Sequence, residues 1–295
     1  MMSIVTTVSK YLSLVKFAHT VFALPFAFIG FFLGFADSGN PISIRLFLLV
    51  LLCMVLARSA AMGFNRYIDR RYDEMNPRTA KREIPSGILP PISVLIFVII
   101  SIAGFILTTF FINQLCFFLS PIAIIVILGY SFTKRFTSLC HVVLGIGLSL
   151  APIGAYLAVT GHFALYPVLY SFAVICWVSG FDIFYALQDI EFDKSQGLKS
   201  IPAWLGIKKS LWVSALLHLM ASFIIVFVGF EIKFGWFYWT GTVIFIGLLL
   251  YEHLIVKPSN LNRVNQAFAT LNGIASVIFG VFVIAELIIN KFMNR

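Results

Sequence analysis

The chain has 295 residues, of which 60% are hydrophobic and only 11% are charged, and its mean hydropathy is +1.00. Soluble domains carry about 25% charged residues, so this composition excludes a soluble globular protein and predicts an integral membrane protein. The formal net charge of +9 comes without a nucleic-acid-binding motif, so nucleic acid is not an expected partner.

Nine apolar runs are long enough to cross a bilayer as helices, since about 20 apolar residues span its hydrocarbon core. In chain order they are residues 17–36, 46–64, 92–111, 115–131, 139–159, 163–181, 211–230, 235–255 and 267–289. No linker long enough to separate soluble domains interrupts them. The sequence therefore predicts an all-α integral membrane protein, a bundle of nine transmembrane helices that contacts membrane lipid and forms a single domain over residues 1–295.

The distribution of basic residues predicts the orientation of the helices. If the N-terminus is cytoplasmic, most of the 21 basic residues fall in cytoplasmic segments. Lys and Arg favour the cytoplasmic side of a membrane. The bias predicts a multi-pass protein of a bacterial-type inner (plasma) membrane with its N-terminus inside and its C-terminus outside.

Most of the chain's 12 acidic residues lie in two short segments, 69–83 and 182–193. Carboxylates are costly near a bilayer, so two such clusters indicate a function. In the first segment Asn65, Asp69 and Asp73 follow one another at intervals of four residues. Each such step advances about 40° around a helix, so the three side chains are expected on one face.

The second segment repeats this arrangement with a different spacing. Asp182, Asp189 and Asp193 are seven and four residues apart, which returns each of them to within about 20° of the first on a helix. Tyr185 lies slightly off that line. Both segments are therefore predicted to present a stripe of oxygen atoms, and the predicted orientation places both on the cytoplasmic side.

Hard oxygen ligands suit Mg²⁺, which binds proteins through one or two carboxylates together with substrate phosphates. A diphosphate held between two such stripes through metal ions would have its leaving charge neutralised as its carbon–oxygen bond breaks. The predicted metal ligands are Asn65, Asp69, Asp73, Asp189 and Asp193, and the basic residues that could bind phosphate oxygens are Arg78, Lys81, Arg82, Lys134 and Lys199. The alternative is that these acids form solvated ion pairs with neighbours such as Arg66 and Arg70.

The same residues resemble the motifs of the UbiA superfamily of intramembrane aromatic prenyltransferases. The first aspartate-rich motif of that family is similar to Asn65-x₃-Asp69-x₃-Asp73 and the continuation over residues 76–87. The second is similar to Asp182-x₂-Tyr185-x₃-Asp189-x₃-Asp193, and Tyr130-x₃-Lys134 resembles a Tyr/Lys loop element. Further matches lie at Phe17-Ala-His19, at residues 24–26 and at residues 200–206. The similarity covers most of the chain and is strongest to the 4-hydroxybenzoate polyprenyltransferase branch.

One position departs from the family pattern. Many relatives have Asn-Asp at the start of the first motif, whereas this chain has Asn65-Arg66. The set of candidate ligands survives, but the acceptor specificity that the resemblance implies becomes less secure.

The resemblance implies nine helices around a central cavity that opens to the cytoplasm at the motifs and to the bilayer at the side. It implies Mg²⁺-dependent transfer of a polyprenyl chain from its diphosphate to an aromatic acid such as 4-hydroxybenzoate, which makes a precursor of a lipid-tailed quinone of the ubiquinone or menaquinone type. The catalytic residues would be Asp69, Asp73, Asp189 and Asp193. Asp182, Tyr130 and Tyr185 would contact substrate, and aromatic faces can stabilise an allylic cation.

Arg58 lies inside the second predicted helix, seven residues before Asn65 and so on nearly the same face. A buried arginine is costly unless it is paired, and a carboxylate on the acceptor would be a suitable two-point partner. The alternatives are that Arg58 reaches the membrane interface or pairs with an internal acid. His19 could line a cavity or make a structural hydrogen bond. His141, His162, His218 and His253 have no metal-ligand spacing, so none is a predicted ligand.

Two other functions remain open. Within the family, the acceptor could be a dihydroxynaphthoate, a haem or a chlorin. In a different class, the protein could be a cation transporter, but that function predicts acids near the middle of several helices. Outside the two segments the helices hold few acids, among them Glu252 and Glu286, so transport is disfavoured.

Overall fold

The computed structural model describes residues 4–15 and 22–293. Within them, the chain is helical and contains no β-strand, apart from one isolated antiparallel bridge between Lys257 and Asn260. Phe17 and His19, which the sequence analysis singled out, lie outside the described residues.

The helices are, in chain order, α1 (Ile4–Leu14), α2 (Leu24–Ser38), α3 (Ile44–Ile68), α4 (Arg70–Met75), α5 (Pro91–Phe110), α6 (Gln114–Thr133), α7 (Cys140–Thr160), α8 (Leu165–Ala186), α9 (Ile190–Ser195), α10 (Ile201–Glu231), α11 (Trp236–Ile255) and α12 (Asn272–Met293). A 3₁₀ turn, Leu187–Asp189, joins α8 to α9, and a π-helix, Gln266–Leu271, precedes α12.

The all-α prediction is confirmed. Eight helical segments are long and apolar enough to cross a membrane: Ile44–Ile68, Pro91–Phe110, Gln114–Thr133, Cys140–Thr160, Leu165–Ser195, Ile201–Glu231, Trp236–Ile255 and Gln266–Asn290. The predicted run at residues 17–36 corresponds to α2, which has 15 residues and is shorter than a full span. The described part of the chain therefore holds eight long spans and one short apolar helix at the nine predicted positions.

The chain divides into two compact units. The first comprises Met1–Thr20 and Leu48–Phe132, and it holds α1, α4, α5 and nearly all of α3 and α6. The second comprises Val21–Phe47 and Thr133–Arg295, and it holds α2 and the helices from α7 onward. Each acidic segment lies in a different unit, the first at the end of α3 and the second at the end of α8.

In the first unit, α3 and α5 approach closely at Gly63, where an added Cβ would lie 2.8 Å from a methyl group of Val98. Small residues at such points let membrane helices come together. The loop after α4 folds back onto the unit through a buried apolar cluster of Leu14, Ile84, Leu89 and Val94. This cluster holds the loop that follows the first acidic segment.

In the second unit, aromatic rings form the centre of the core. Trp177 lies 5.2 Å from Phe26 and 5.8 Å from Phe245, measured between ring centroids, and Phe279 lies 5.2 Å from Phe245. Rings at such separations interact beyond the burial of their area. Helices α2 and α7 meet at Gly30, where an added Cβ would overlap the carbonyl group of Pro152.

Candidate functional site

The first acidic segment begins on the last turns of α3 and passes through a break in the helix. Asp69 separates α3 from α4, with φ −90° and ψ 4° instead of helical values. The i to i−4 backbone bonds persist through this break, since Asp69 N donates to Asn65 O at 2.9 Å and Asp73 N donates to Asp69 O at 2.8 Å. The predicted continuous helix is therefore wrong at Asp69, but the bonds keep the three side chains on successive turns.

Asn65 and Asp69 are in direct contact, because the Asn65 side-chain amide donates to Asp69 Oδ2 at 2.9 Å. Asp73 is buried, and its Oδ1 pairs with Arg82 Nη1 at 2.6 Å. Its second oxygen, Oδ2, is buried and has no hydrogen-bond partner among the described residues. Buried carboxylate oxygens are normally satisfied, so this atom indicates a place for an added cation.

The loop after α4 positions Arg82. Thr79 Oγ1 donates to the backbone oxygen of Asp73 at 3.0 Å, and the backbone N–H of Arg78 donates to Asn76 Oδ1 at 3.0 Å. Glu83 is buried and accepts a hydrogen bond from Ser13 Oγ of α1 at 2.6 Å. Hydrogen bonds thus fix the loop near its start and near Glu83. The side chain of Arg78 is exposed.

Two arginines of α3 lie deeper in the same unit. Arg66 is 3% exposed, and Arg58 is half-buried. The Nε atom of each is buried without a hydrogen-bond partner among the described residues. Tyr130 of α6 interacts electrostatically with both arginines and with Asp69. The structure therefore brings Arg58, Tyr130 and Asp69 together, and it adds Arg66, which the sequence analysis treated only as a possible ion-pair partner.

The second acidic segment has the same break. Helix α8 ends at Ala186, the 3₁₀ turn ends at Asp189, and the short helix α9 begins at Ile190. Asp189 has φ −109° and ψ 6°, close to the values at Asp69, and its side chain is buried. A continuous helical stripe was predicted here as well, and the turn at Asp189 corrects it.

Asp193 is fully buried and has a partner on each oxygen. Its Oδ1 pairs with Lys134 Nζ at 2.6 Å, and its Oδ2 accepts a hydrogen bond from Ser200 Oγ at 2.9 Å. Ser200 is also the N-cap of α10, where its hydroxyl accepts from Ala203 N at 3.2 Å. A residue that caps a helix is fixed in position. The cap therefore orients the catalytic candidate Asp193.

Lys134 lies just after α6 and is charged at neutral pH. Burial alone would lower its pKa, but the attraction and hydrogen bond of Asp193, with a contribution from Asp189, outweigh burial and raise the pKa above the usual lysine value. Lys199 is held beside it, because Lys199 N donates to Lys134 O at 2.7 Å. The Lys199 ammonium group donates to Phe136 O at 3.1 Å and is exposed.

Asp182 contacts a histidine that had no predicted role. His141 Nδ1 lies 2.7 Å from Asp182 Oδ2, and His141 Nε2 lies 3.3 Å from the backbone N–H of Ile201. Because Ile201 donates to Nε2, the ring proton is on Nδ1 and is donated to Asp182. The pair is 41 residues apart in sequence, and no local spacing signals it.

Tyr185 packs against aromatic side chains of the second unit. Its ring stacks on Phe268 at 4.4 Å between centroids, and Phe268 in turn contacts Phe22 at 5.7 Å and Phe181 at 5.5 Å. Phe268 is part of the π-helix Gln266–Leu271. Such π segments occur often at functional sites. Tyr185 is half-buried, so part of its ring remains accessible.

Several known proteins are similar to this chain in sequence or in fold. A 4-hydroxybenzoate octaprenyltransferase of Saccharophagus degradans is 32% identical over 240 residues, which cover 80% of this chain and 79% of the relative. One of Tolumonas auensis is 29% identical over 253 residues, covering 86% and 88%. The apo structure of a UbiA homolog from Aeropyrum pernix K1 superposes with a TM-score of 0.82 at 31% identity, over 90% of this chain and 97% of that chain.

A more distant structure, a UbiA homolog from Archaeoglobus fulgidus bound to DMAPP and Mg²⁺, has a TM-score of 0.72 at 23% identity, over 95% of this chain and 99% of that chain. The same homolog was also solved with Cd²⁺. The long apolar helices define this chain as a multi-pass membrane protein. The model of the UbiA prenyltransferase family matches residues 23–274, and the chain belongs to that family.

Proposed function

We propose that this protein transfers a polyprenyl chain from its diphosphate to an aromatic acid of the 4-hydroxybenzoate type, with Mg²⁺ as its cofactor. One observation carries the proposal: each acidic segment holds a buried aspartate paired with a cation, Asp73 with Arg82 and Asp193 with Lys134. The names of the curated relatives support 4-hydroxybenzoate as the acceptor.

The oxygen-rich donor set fits magnesium. Asn65, Asp69 and Asp73 of the first segment and Asp189 and Asp193 of the second would hold it. Oδ2 of Asp73, which has no hydrogen-bond partner in the described part of the chain, would be one ligand atom. Carboxylate oxygens are the ligands that Mg²⁺ prefers, together with substrate phosphates. When bound, the metal would neutralise negative charge on the departing diphosphate.

The basic residues have two roles: they pair with the acids before substrate binds, and they bind the diphosphate when it is present. Arg82 and Lys134 neutralise Asp73 and Asp193 in the absence of ligand, which limits the cost of burying these carboxylates. An arginine can reach carboxylate and phosphate oxygens together, because it has five N–H donors. Arg78 and Lys199 are exposed, and their side chains would bind outer phosphate oxygens.

The remaining residues act on the organic parts of the substrates. The carbon–oxygen bond of the allylic diphosphate breaks, the electron pair leaves with the diphosphate, and the Tyr185–Phe268 stack offers ring faces to the allylic cation. The ring carbon ortho to the acceptor's phenol attacks that cation. A motif carboxylate or the released diphosphate takes the ring proton. Arg58 binds the acceptor's carboxylate, and Tyr130 and Asp182 position substrate.

The proposed cellular setting follows from the charge distribution. The protein lies in a bacterial-type inner membrane, with its N-terminus and both acidic segments on the cytoplasmic side, as the positive-inside rule predicts. Both segments serve the same diphosphate, and residues 1–295 act as one enzyme.

The experiment is an incubation of the purified protein with Mg²⁺, geranyl diphosphate and a panel of aromatic acids, read by mass spectrometry. We expect a product whose mass equals the acid plus one geranyl group less one hydrogen, formed with 4-hydroxybenzoate. If product forms only from 1,4-dihydroxy-2-naphthoate, the proposed reaction class stands, but the acceptor is a naphthoate instead of 4-hydroxybenzoate. Absence of any prenylated acid across the panel, in the presence of Mg²⁺, would contradict the proposal.

A further inference from the structure

A cluster of ligand-type side chains in the second unit includes no residue of either acidic segment. His218 on α10 has its Nδ1 atom 2.9 Å from Glu252 Oε1 and 3.0 Å from His253 Nε2, both on α11. One ligand atom from each residue lies within 4.8 Å of the others. Glu252 is fully buried, His218 is 3% exposed and His253 is half-buried.

The hydrogen bonds around His218 place a proton on one of its two ring nitrogens. His218 Nε2 lies 3.2 Å from the backbone oxygen of Trp177. A carbonyl oxygen only accepts, so Nε2 carries a proton, which leaves Nδ1 as the ring atom that can bind a cation. That atom faces a carboxylate oxygen and a second imidazole nitrogen. Three electron-pair donors therefore lie close together, and either a shared proton or a metal ion between them offsets their repulsion.

Neighbouring groups form hydrogen bonds to these donors, as the residues around a metal site commonly do to the metal ligands. The Trp177 carbonyl orients the His218 ring, and Asn272 of α12 donates from Nδ2 to Glu252 Oε2 at 2.7 Å. Asn272 is itself fixed, since its Oδ1 accepts from Trp177 Nε1 at 2.6 Å. Metal-binding histidines almost always donate their other N–H to a carbonyl or carboxylate, and metal-binding carboxylates are in turn hydrogen-bonded.

The backbone leaves room for the His218 ring at one glycine. A Cβ at Gly180 of α8 would overlap the ring atoms of His218, so only glycine lets this imidazole lie against α8. The cluster therefore depends on four helices: α8 contributes Gly180 and Trp177, α10 contributes His218, α11 contributes the other two donors, and α12 contributes Asn272.

We propose that His218, Glu252 and His253 form a binding site for a divalent transition-metal ion of the Zn²⁺ class. Two imidazole nitrogens and one carboxylate are a donor set of zinc sites, whereas Mg²⁺ prefers oxygen alone. The ion joins α10 to α11 and takes no ligand from either acidic segment, so its binding can be measured separately from the proposed catalysis.

Hydrogen bonds connect this site to the π-helix against which Tyr185 of the second acidic segment packs. The Asn272 Nδ2 group that supports Glu252 also donates to Ala267 O at 2.8 Å. Ala267 lies in the π-helix Gln266–Leu271, which carries the Phe268 ring stacked on Tyr185. An ion that fixes Glu252 therefore stabilises the segment on which Tyr185 packs.

The test uses the full chain in detergent, with Mg²⁺ in excess throughout so that oxygen sites stay occupied. Bound transition metal is removed with a zinc-selective chelator, and the protein is then titrated with Co²⁺ and separately with Zn²⁺. We expect about one equivalent of Co²⁺ to give the visible absorption of a low-coordinate N/O site. Saturating Zn²⁺ should raise Tm by roughly 5–10 °C.

Two variants of His253 and one control test whether His253 is a ligand. His253→Gln should abolish both the Co²⁺ spectrum and the Zn²⁺-dependent rise in Tm, and His162→Gln, a change at an exposed histidine, should retain both. If His253→Gln fails to fold, His253→Cys provides the readout, because a thiolate ligand adds a charge-transfer band near the ultraviolet. The proposal is overturned if the wild-type chain binds no Co²⁺, if His253→Gln binds it unchanged, or if His253→Cys folds and its Co²⁺ spectrum matches that of the wild type.

Discussion

At the scale of single residues, Arg58 is the main argument for an acidic acceptor. Its Nε atom is buried without a hydrogen-bond partner among the described residues, and an arginine inside a membrane helix is costly unless an anion meets it. Tyr130 and Asp69 are within electrostatic range of the same region. A carboxylate on the aromatic substrate would complete the set of partners.

Replacing Arg58 should therefore affect the acceptor and spare the prenyl donor. For Arg58→Ala we expect kcat/KM for the aromatic acid to fall roughly 10- to 150-fold, the equivalent of one charge-assisted hydrogen bond of about 1.5–3 kcal/mol. The KM for the prenyl diphosphate should barely change. Arg58→Lys should recover only part of the loss, because an ammonium group cannot make the planar two-point contact.

Arg45 provides the matched control, since it is an exposed arginine near the start of the same helix. Arg45→Ala should leave both kinetic constants unchanged. Equal loss of activity toward both substrates in Arg58→Ala would instead assign Arg58 to the fold or to the diphosphate.

Lys134 yields a prediction about pH. Its pKa is raised above the ordinary lysine value of 10.5, so its ion pair with Asp193 contributes stability that is fully present below pH 10.5 and is lost as the pH rises through the folded-state pKa. The Tm of Lys134→Met should thus lie below that of the wild type by a constant amount between roughly pH 7 and 10.

Thermal unfolding of both proteins across that range measures the difference, and Lys208→Met, at an exposed lysine of the second unit, is the control. A difference in Tm that shrinks between pH 8 and 9 would contradict the raised pKa.

At the scale of helices, interfaces in the second unit depend on glycines that admit a neighbouring backbone. A Cβ at Gly30 of α2 would overlap the Pro152 carbonyl group, whereas a Cβ at Gly154 of α7 would have no atom of the described residues within 4 Å. Gly30→Ala should destabilise the protein by about 1–3 kcal/mol, because the helices must separate. Gly154→Ala should be neutral or stabilising by up to about 1 kcal/mol, since alanine favours a helix.

The two alanine variants differ by the same single methyl group, so their Tm values can be compared directly. A Tm of Gly30→Ala equal to that of Gly154→Ala would show that α2 and α7 do not make this contact.

The apolar runs predicted the positions of the helices because a membrane span requires an unbroken apolar length. The predictions missed the helical residues before the run at 211–230: α10 begins ten residues earlier, at Ile201, is interrupted by a non-helical Gly206 with φ 73° and ψ 173°, and includes Lys208 and Lys209. The breaks at Asp69 and Asp189 were missed because four-residue spacing is equally compatible with a continuous helix.

Among the site residues, local motifs revealed the acids of both segments together with Lys134 and Arg82. The sequence could not reveal His141 opposite Asp182, or His218 opposite Glu252, because these pairs come from different helices. Their spacing along the chain carries no signal, and only the packing of helices brings them together.

At the scale of the whole molecule, the orientation in the membrane is the next prediction. In a background without native cysteines, single cysteines at Ser86 and Gln196, both exposed loop positions, should react with a membrane-impermeant thiol reagent from the cytoplasmic side only. A cysteine at His162, in the exposed turn between α7 and α8, should react from the opposite side. Labelling of Ser86Cys and Gln196Cys from different sides would contradict a shared diphosphate.

The central claim is that both acidic segments act on one diphosphate, and a double-mutant cycle tests it most directly. The initial rate of prenylated product is measured for wild type, Asp69→Asn, Asp189→Asn and the double variant. The exposed acids Glu74 and Glu191, changed to glutamine, serve as controls within the same two segments.

We predict that each aspartate variant loses roughly 100-fold or more in rate, because an incompletely neutralised diphosphate costs several kcal/mol in the transition state. The double variant should lose far less than the product of the two single losses, as residues that act as a unit do. The two glutamine controls should retain activity. A double variant whose loss equals the product of the single losses would contradict the claim, because the two segments would then act independently.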